Sequence, residues 1–322
     1  MVTTSTPLTR SMQRRQSRML KLLDSERFLA SAMLLPAVAY IVLLVGIPMV
    51  TAILFSFSDA TMASPEIDGL NFDTFITVLN DPVFRRSLGN SIGFTVISQA
   101  SMVVLGNVLA LALMKNFPGK WFVRLLILLP WATPIAIGAI GWLWIYDSVY
   151  SPIDWIFRQV GLLGIQGDHV GLISRAPNMY WLGQYGPFSV ILVQIWRMLP
   201  MSTVILMAGL SSIPQDVKDA AEVDGVGFWR TYFQVTVPLI RPIILVAFLF
   251  GVIFTFTDMT IIHVLTRGGS DNSTQVLASY AYYKGIDGGN LSQGAAIAVF
   301  MLPVLLGLAM ILLRIARRSE VR

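Results

Sequence analysis

The chain has no cysteine and only two histidines in 322 residues, and just 13% of its residues are charged. Without cysteine there is no disulfide, no thiolate metal site and no cysteine nucleophile. His169 and His263 stand far apart in the sequence and make no metal site between them. A soluble domain would carry roughly a quarter charged residues, so the charge content argues against one. Catalytic patterns are also missing. Gly119-Lys120 is followed by Trp121 where a phosphate-binding loop needs Ser or Thr, and no glycine stands at the required distance upstream. This chain is therefore not expected to bind or hydrolyse ATP. No paired-carboxylate, His-Glu-x-x-His or Gly-x-Ser-x-Gly constellation occurs, which argues against an enzyme.

Apolar residues make up 55% of the sequence, and the mean hydropathy is +0.69. They come in runs of roughly twenty or more, the length that crosses a bilayer as a helix. Six spans are expected: Phe28–Phe57, Leu88–Met114, Trp121–Ile145, Pro187–Leu210, Ile243–Leu265 and Gly294–Leu313. The fold class is thus an all-α polytopic integral membrane protein. A cytoplasmic tail is expected over 1–27, a transmembrane domain over 28–313 and a second cytoplasmic tail over 314–322. The first apolar run is too long for a secretory signal and lacks a small-x-small cleavage site, so it reads as an uncleaved anchor.

With both termini cytoplasmic, sixteen of the 23 Lys and Arg fall inside and six outside; Arg197 lies within a span. That bias satisfies the positive-inside rule. The net charge of +5 is accordingly a signal of topology and gives no reason to invoke nucleic acid. Within the spans, Pro130 and Pro134 should bend the third helix. Gly89 and Gly93 could allow a close helix approach, or be a chance spacing. Trp142 and Trp144 read as an interfacial belt. Ile153–Val160 reads as a short interfacial helix.

Between two apolar runs lies a polar island, Ser211 to Pro242. Pro214, Gln215 and Asp216 suit the first turn of a helix. Asp224-Gly225 would end it, with Gly225 in a left-handed cap. Ala220 and Ala221 are small enough for a partner to come close. A second short helix from Gly227 would present Phe228, Trp229 and Tyr232. A segment too polar to insert and too ordered for a linker reads as a docking surface for a soluble partner.

Two ionisable residues fall inside spans away from their ends, Arg197 beside Trp196, and Asp258 beside Thr255 and Thr257. Charges at membrane depth normally face a polar pathway or each other. Hydroxyls, charges and aromatic faces together suit a carbohydrate route. A structural ion pair between the fourth and fifth helices is the other reading, and the two are compatible.

Asp-Ala-Ala-Glu-Val-Asp-Gly at 219–225, followed by Pro-Leu-Ile-Arg-Pro at 238–242, resembles the EAA loop of ABC-importer permeases. Asp219 stands where that family usually has Glu, which keeps the charge and shortens the side chain by one methylene. Gly69-Leu70-Asn71-Phe72, Asp81-Pro82, Asn90-Ser91, 195–200, Leu210-Ser211-Ser212-Ile213-Pro214 and Thr266-Arg267-Gly268-Gly269 are similar to carbohydrate-importer permeases of the maltose, trehalose and glycerol-phosphate type. The resemblance is strongest to the first of the two permeases in such systems. It implies a type I importer fold in the cell membrane and a coupling loop over 211–242. In that loop Asp219, Ala220, Ala221, Glu222, Asp224 and Gly225 would dock an ATPase. It implies a solute path that includes Trp196, Arg197, Thr255, Thr257 and Asp258. Implied partners are a second permease, two ATPase subunits that hold ATP and Mg, and an external solute-binding protein. No cofactor or metal is implied in this chain. The solute would be a di- or oligosaccharide, with glycerol phosphate or another polar solute as the alternative. A self-sufficient secondary transporter would instead show inverted repeats and several buried acids.

Overall fold

A computed structural model describes residues 26–67, 69–164, 171–172 and 178–320. The N-terminal tail before residue 26, Asp68, His169 and Arg175 lie outside the described residues. All regular structure among those described is helical. The chain divides into two compact units, Met1–Phe55 and Ser56–Arg322.

The first unit is built on α1, which runs through Glu26–Ile41, a π turn Val42–Gly46 and Ile47–Ser56. The π turn ends two residues before Pro48, whose missing N–H removes a ladder bond. The helix is apolar over Leu29–Ser56, long enough to cross a membrane.

In the second unit, α2 (Asp73–Asn80) leads into α3 (Pro82–Met114). The start of α3 is set locally: Asp81 caps the Val83 amide at 2.8 Å and Pro82 occupies the first turn. At 33 residues, α3 is about 50 Å long, more than the hydrocarbon core needs. A tight turn with Gly119 in the left-handed region (φ 77°) opens α4 (Lys120–Ala132). Pro134 then forces Thr133 into extended backbone (φ −74°, ψ 130°) and α5 (Ile135–Ile145) departs at 99° to α4. Where hydropathy suggests one continuous third span, the structure has two helices bent sharply at Thr133-Pro134. The short α6 (Pro152–Gln159) matches the expected interfacial helix.

The remaining elements are α7 (Gly186–Ser211), α8 (Gln215–Val223), α9 (Phe228–Thr257), α10 (Thr260–Leu265), α11 (Leu277–Tyr282) and α12 (Leu291–Glu320). A π turn at Tyr232–Thr236 interrupts α9 just before Pro238. The fifth span therefore begins inside the polar island, and ends at Thr257 rather than Leu265. Among the described residues five helices are long and apolar enough to cross a membrane, or six if α4 and α5 count as one span.

Helices α3, α7 and α9 form the centre of this unit, and each pair meets at a glycine. A Cβ on Gly106 of α3 would lie 2.9 Å from Ser202 Oγ of α7. One on Gly209 of α7 would lie 2.9 Å from Ile243 of α9. One on Gly251 of α9 would land on the Gln99 carboxamide of α3. Close approach through small residues is the main source of helix association in lipid, where apolar burial gives little. Gly89 and Gly93 do not serve this purpose, since a Cβ on either meets nothing within 4 Å. Large apolar residues such as Val104, Val108 and Leu306 remain exposed on α3 and α12. Such surface is suited to lipid or to another membrane subunit.

Candidate functional site

At one end of the α3–α7–α9 centre lies the polar island. Ser212 closes α7 by donating from Oγ to Gly209 O at 2.8 Å. The α8 helix follows, with Gln215 Nε2 donating to Asp219 Oδ1 at 2.8 Å, one turn on. Gly225 has φ 66°, a conformation that disfavours any side chain with a Cβ. The Val226 amide then reaches back to Ala221 O at 3.3 Å, which closes the turn. Asp216, Asp219, Ala220, Val223 and Asp224 are exposed. Ala221 is not: it is 6% exposed and faces the chain's own interior. The side chain of Glu222 lies outside what is described. On the inner side, Ile213 and Val217 pack with Ala110, Leu206, Leu210 and Ile240, at the ends of α3, α7 and α9. Phe228, Trp229 and Phe233 are exposed on the first turns of α9.

Some thirteen residues up α7 from Leu210, about 20 Å along the axis, the membrane charges meet. Arg197 Nη1 donates to Asp258 Oδ2 at 2.7 Å, with side chains 21% and 10% exposed. Asp258 sits in extended backbone (φ −81°, ψ 124°) between α9 and α10, and its other oxygen accepts from the Thr260 amide at 2.7 Å. The carboxylate thus pairs with a cation and starts a new helix.

Next to the pair is a set of neutral polar groups. Thr255 Oγ1 accepts from Gln99 Nε2 and from Gln194 Nε2, each at 2.9 Å. Gln99 is 1% exposed and Gln194 5%. One hydroxyl therefore ties α9 to both α3 and α7. Thr255, Gln194 and Asp258 line a cavity of about 20 Å³ together with Thr95 and Ser98. The hydroxyls of Thr95 and Ser98 are buried with no hydrogen-bond partner among the described residues. A cavity of this size, with these polar groups on one part of its wall, has room for about one water.

The structure brings Arg197, Asp258 and Thr255 together as the sequence suggested. It does not bring in Thr257, whose hydroxyl is turned back on Ile253 O at 2.8 Å on an exposed face. Trp196 packs edge-to-face on Trp142 at 5.6 Å, against Gly138 of α5. Trp142 is accordingly part of the packing, 5.1 Å from the Tyr146 ring, and only Trp144, 78% exposed, has the exposure of a belt residue. Gln99 and Gln194 were missed because the sequence search was for ionisable residues. Amides within apolar runs were the available signal.

At the opposite end from α8, Asp81 joins the start of α3 to α11. The Tyr280 hydroxyl donates to Asp81 Oδ2, and Lys284 Nζ lies 3.3 Å from the same oxygen and 5.6 Å over the Tyr280 ring. Burial pushes the Asp81 carboxyl up. Hydrogen bonds from Tyr280, the Val83 amide and Lys284 outweigh burial and hold it below its ordinary value. Nearby, Asn90 Nδ2 donates to the carbonyls of Asn272 and Gln275 at 3.0 and 2.9 Å.

The family model of the binding-protein-dependent transport system inner membrane component matches residues 102–320. The diacetylchitobiose uptake system permease protein DasB of Streptomyces coelicolor is 32% identical over 89% of this chain and 86% of its own length. The sulfoquinovosyl glycerol transport system permease protein SmoG of Agrobacterium fabrum is 28% identical over 92% of each. The trehalose/maltose transport system permease protein MalF of Thermococcus litoralis is 27% identical over 92% of this chain and 96% of its own. In fold, the chain matches a bacterial ABC transporter involved in the import of the acidic polysaccharide alginate, with TM-score 0.76 and 21% identity over 94% of this chain and 99% of that one. The chain belongs to the binding-protein-dependent transport system inner membrane components, the permease subunits of ABC importers.

Proposed function

We propose that this permease forms half of the path for a neutral di- or oligosaccharide and transmits work to it from separate ATPase subunits. The observation that carries the solute class is the polar set at membrane depth. Gln99, Gln194 and Thr255 offer amides and a hydroxyl to sugar hydroxyls, and the charges of Arg197 and Asp258 cancel. A neutral site favours an uncharged solute over glycerol phosphate. The relatives named for diacetylchitobiose and trehalose/maltose support the same class. A cavity of about 20 Å³ is far too small for such a solute. In this reading the site opens only on a conformational change and is completed by a second permease on the exposed apolar helix faces.

The transmission follows from the packing. The exposed face of α8, with Asp219, Ala220 and Asp224, would sit in a groove of an ATPase. Val217 on its inner face and Ile213 just before it pack on Leu206 and Leu210 of α7 and Ile240 of α9. Those two helices carry Gln194, Arg197 and Thr255, and Asp258 directly follows α9, so a displacement of α8 moves the groups that face the solute. ATP and Mg²⁺ would act in two cytoplasmic ATPases, and an external binding protein would deliver the solute. Access alternates as the α8 segments approach and separate. Both chain termini would face the cytoplasm, with α4 and α5 counted as one span.

The test is to purify the transporter with its binding protein and identify the solute released on denaturation. A di- or oligosaccharide that is also taken up by ATP-loaded proteoliposomes supports the reading. A charged, non-carbohydrate solute refutes it.

A further inference from the structure

The turn joining α3 to α4 carries groups that neither the solute path nor the coupling segment uses. Lys115 follows α3, and Lys120 and Arg124 occupy the first turns of α4. No carboxylate occurs in the sequence between Asp81 and Asp147. Among the described residues none of these three cations has an ion-pair partner. Their hydrogen bonds go to neutral acceptors: Lys120 Nζ donates to Met114 O at 3.2 Å and Asn116 Oδ1 at 3.5 Å, and Arg124 Nη2 to Leu113 O at 3.1 Å. A guanidinium has five N–H donors, so most of the Arg124 fork is available to a ligand.

Lys120 and Arg124 border an open groove of about 600 Å³, with Phe117, Trp121 and Leu125 among its apolar parts. A second, almost wholly apolar slot of about 130 Å³ continues from it between α4 and α7, past Pro200, Val204 and Met207. The two share Arg124 and Leu128. Trp121 is 73% exposed and meets the Phe122 ring edge-to-face at 5.9 Å, as an aromatic at headgroup depth would. A cationic mouth that leads at one arginine into an apolar slot is complementary to an amphiphile with an anionic head.

We propose that this groove binds an anionic phospholipid of the inner leaflet. The phosphodiester sits between Lys120 and Arg124, Trp121 lies against the glycerol region, and one acyl chain enters the slot beside Leu128. The leaflet rests on the reading that this turn is cytoplasmic, while the site itself rests only on the groove. Bound lipid would brace α4 against α7, just below the break at Thr133-Pro134.

The test uses the complete transporter, exchanged in mild detergent into equimolar phosphatidylglycerol and phosphatidylcholine with matched chains. Retained lipids are counted by native mass spectrometry. Wild type should retain phosphatidylglycerol preferentially. K120Q/R124Q should reduce that preference by about 30-fold, at roughly 1 kcal/mol per basic residue. The charge-conserving pair K120R/R124K should keep it, which separates loss of charge from loss of fold. Leu128→Trp should lower retention of both lipids by filling the slot. Inorganic phosphate at millimolar concentration should not displace the lipid; displacement would show that the site takes a free anion. Equal retention of the two lipids by wild type, or an unchanged ratio in K120Q/R124Q, overturns the proposal. So does a photo-crosslinker at position 125 that captures a transporter subunit rather than lipid. None of these readouts involves the solute, so failure of the sugar assignment would leave them unchanged. Labelling of Asn116→Cys from outside would instead refute only the leaflet.

Discussion

Replacing Arg197 with Ala leaves the Asp258 carboxylate 10% exposed and without its cation, while the Thr260 amide still donates to it. Removing one partner of a buried pair costs about 3–5 kcal/mol, because the charge left behind is neither hydrated nor neutralised. Asp258→Asn should cost less, since an amide oxygen can still accept from Thr260 and Arg197 is 21% exposed. The double change Arg197→Met with Asp258→Asn removes both charges and should recover much of the loss in stability. Thermal denaturation of the assembled transporter gives the three stabilities, and a double-mutant cycle gives the coupling. Uptake measured on the same samples adds the functional half. If the residues line the solute path, the double variant regains stability but not transport. A coupling energy below about 0.5 kcal/mol would refute the reasoning, because independent residues cannot form the 2.7 Å pair in the working protein.

Gly251→Ala should displace the Gln99 carboxamide and break its 2.9 Å bond to Thr255, a loss of about 1–3 kcal/mol measurable as lower thermal stability; Gly89→Ala, which meets nothing within 4 Å, should be neutral in the same assay. The Asp81 carboxyl is held below its ordinary value of 3.8, so the stability it contributes is complete at neutral pH and lost as pH falls through its native value. The stability gap between wild type and Asp81→Asn should therefore be open at pH 7 and close below about pH 3.8, and a gap independent of pH would contradict this. The chain has no cysteine of its own, so single cysteines at Asn116 and Tyr150 can report the sides of the bent α4–α5 pair without background. An impermeant thiol reagent should label only the one at Tyr150 in intact cells; labelling of both or neither would make the pair re-entrant.

The helical turns of the polar island were legible because their chemistry is local. Pro214, Gln215 and Asp216 begin α8, and Asp224-Gly225 ends it in the left-handed region, as expected. Which alanine faces outward was not legible. Ala220 and Ala221 are adjacent and equally small, and tertiary packing of Ile213 and Val217 decides that Ala221 turns inward. The Arg197–Asp258 pair could be anticipated because unpaired charge is costly at membrane depth. The Gln99–Thr255–Gln194 link could not, since it joins three helices far apart in sequence and involves no charge. Hydropathy found the length of the third span but not its direction. The prolines marked the place, and the 99° bend comes from how α5 packs against α7 and α10. The glycines that bring helices together, Gly106, Gly209 and Gly251, lie on three different helices and share no spacing.

If α8 couples ATP hydrolysis elsewhere to movement of this chain, obstructing its exposed face should uncouple the two. Ala220 is exposed, so a bulky residue there should obstruct a partner without disturbing the chain's own core, whereas Ala221→Trp would disturb both. Gly225→Val would strain a backbone with φ 66°, a conformation that β-branched residues tolerate poorly. The direct measurement is solute-stimulated ATPase activity of the reconstituted transporter carrying Ala220→Trp or Gly225→Val. Stimulation should be abolished in both, while the variant chain remains inserted and folded. Wild-type stimulation in both would contradict the assignment of this segment as the coupling element.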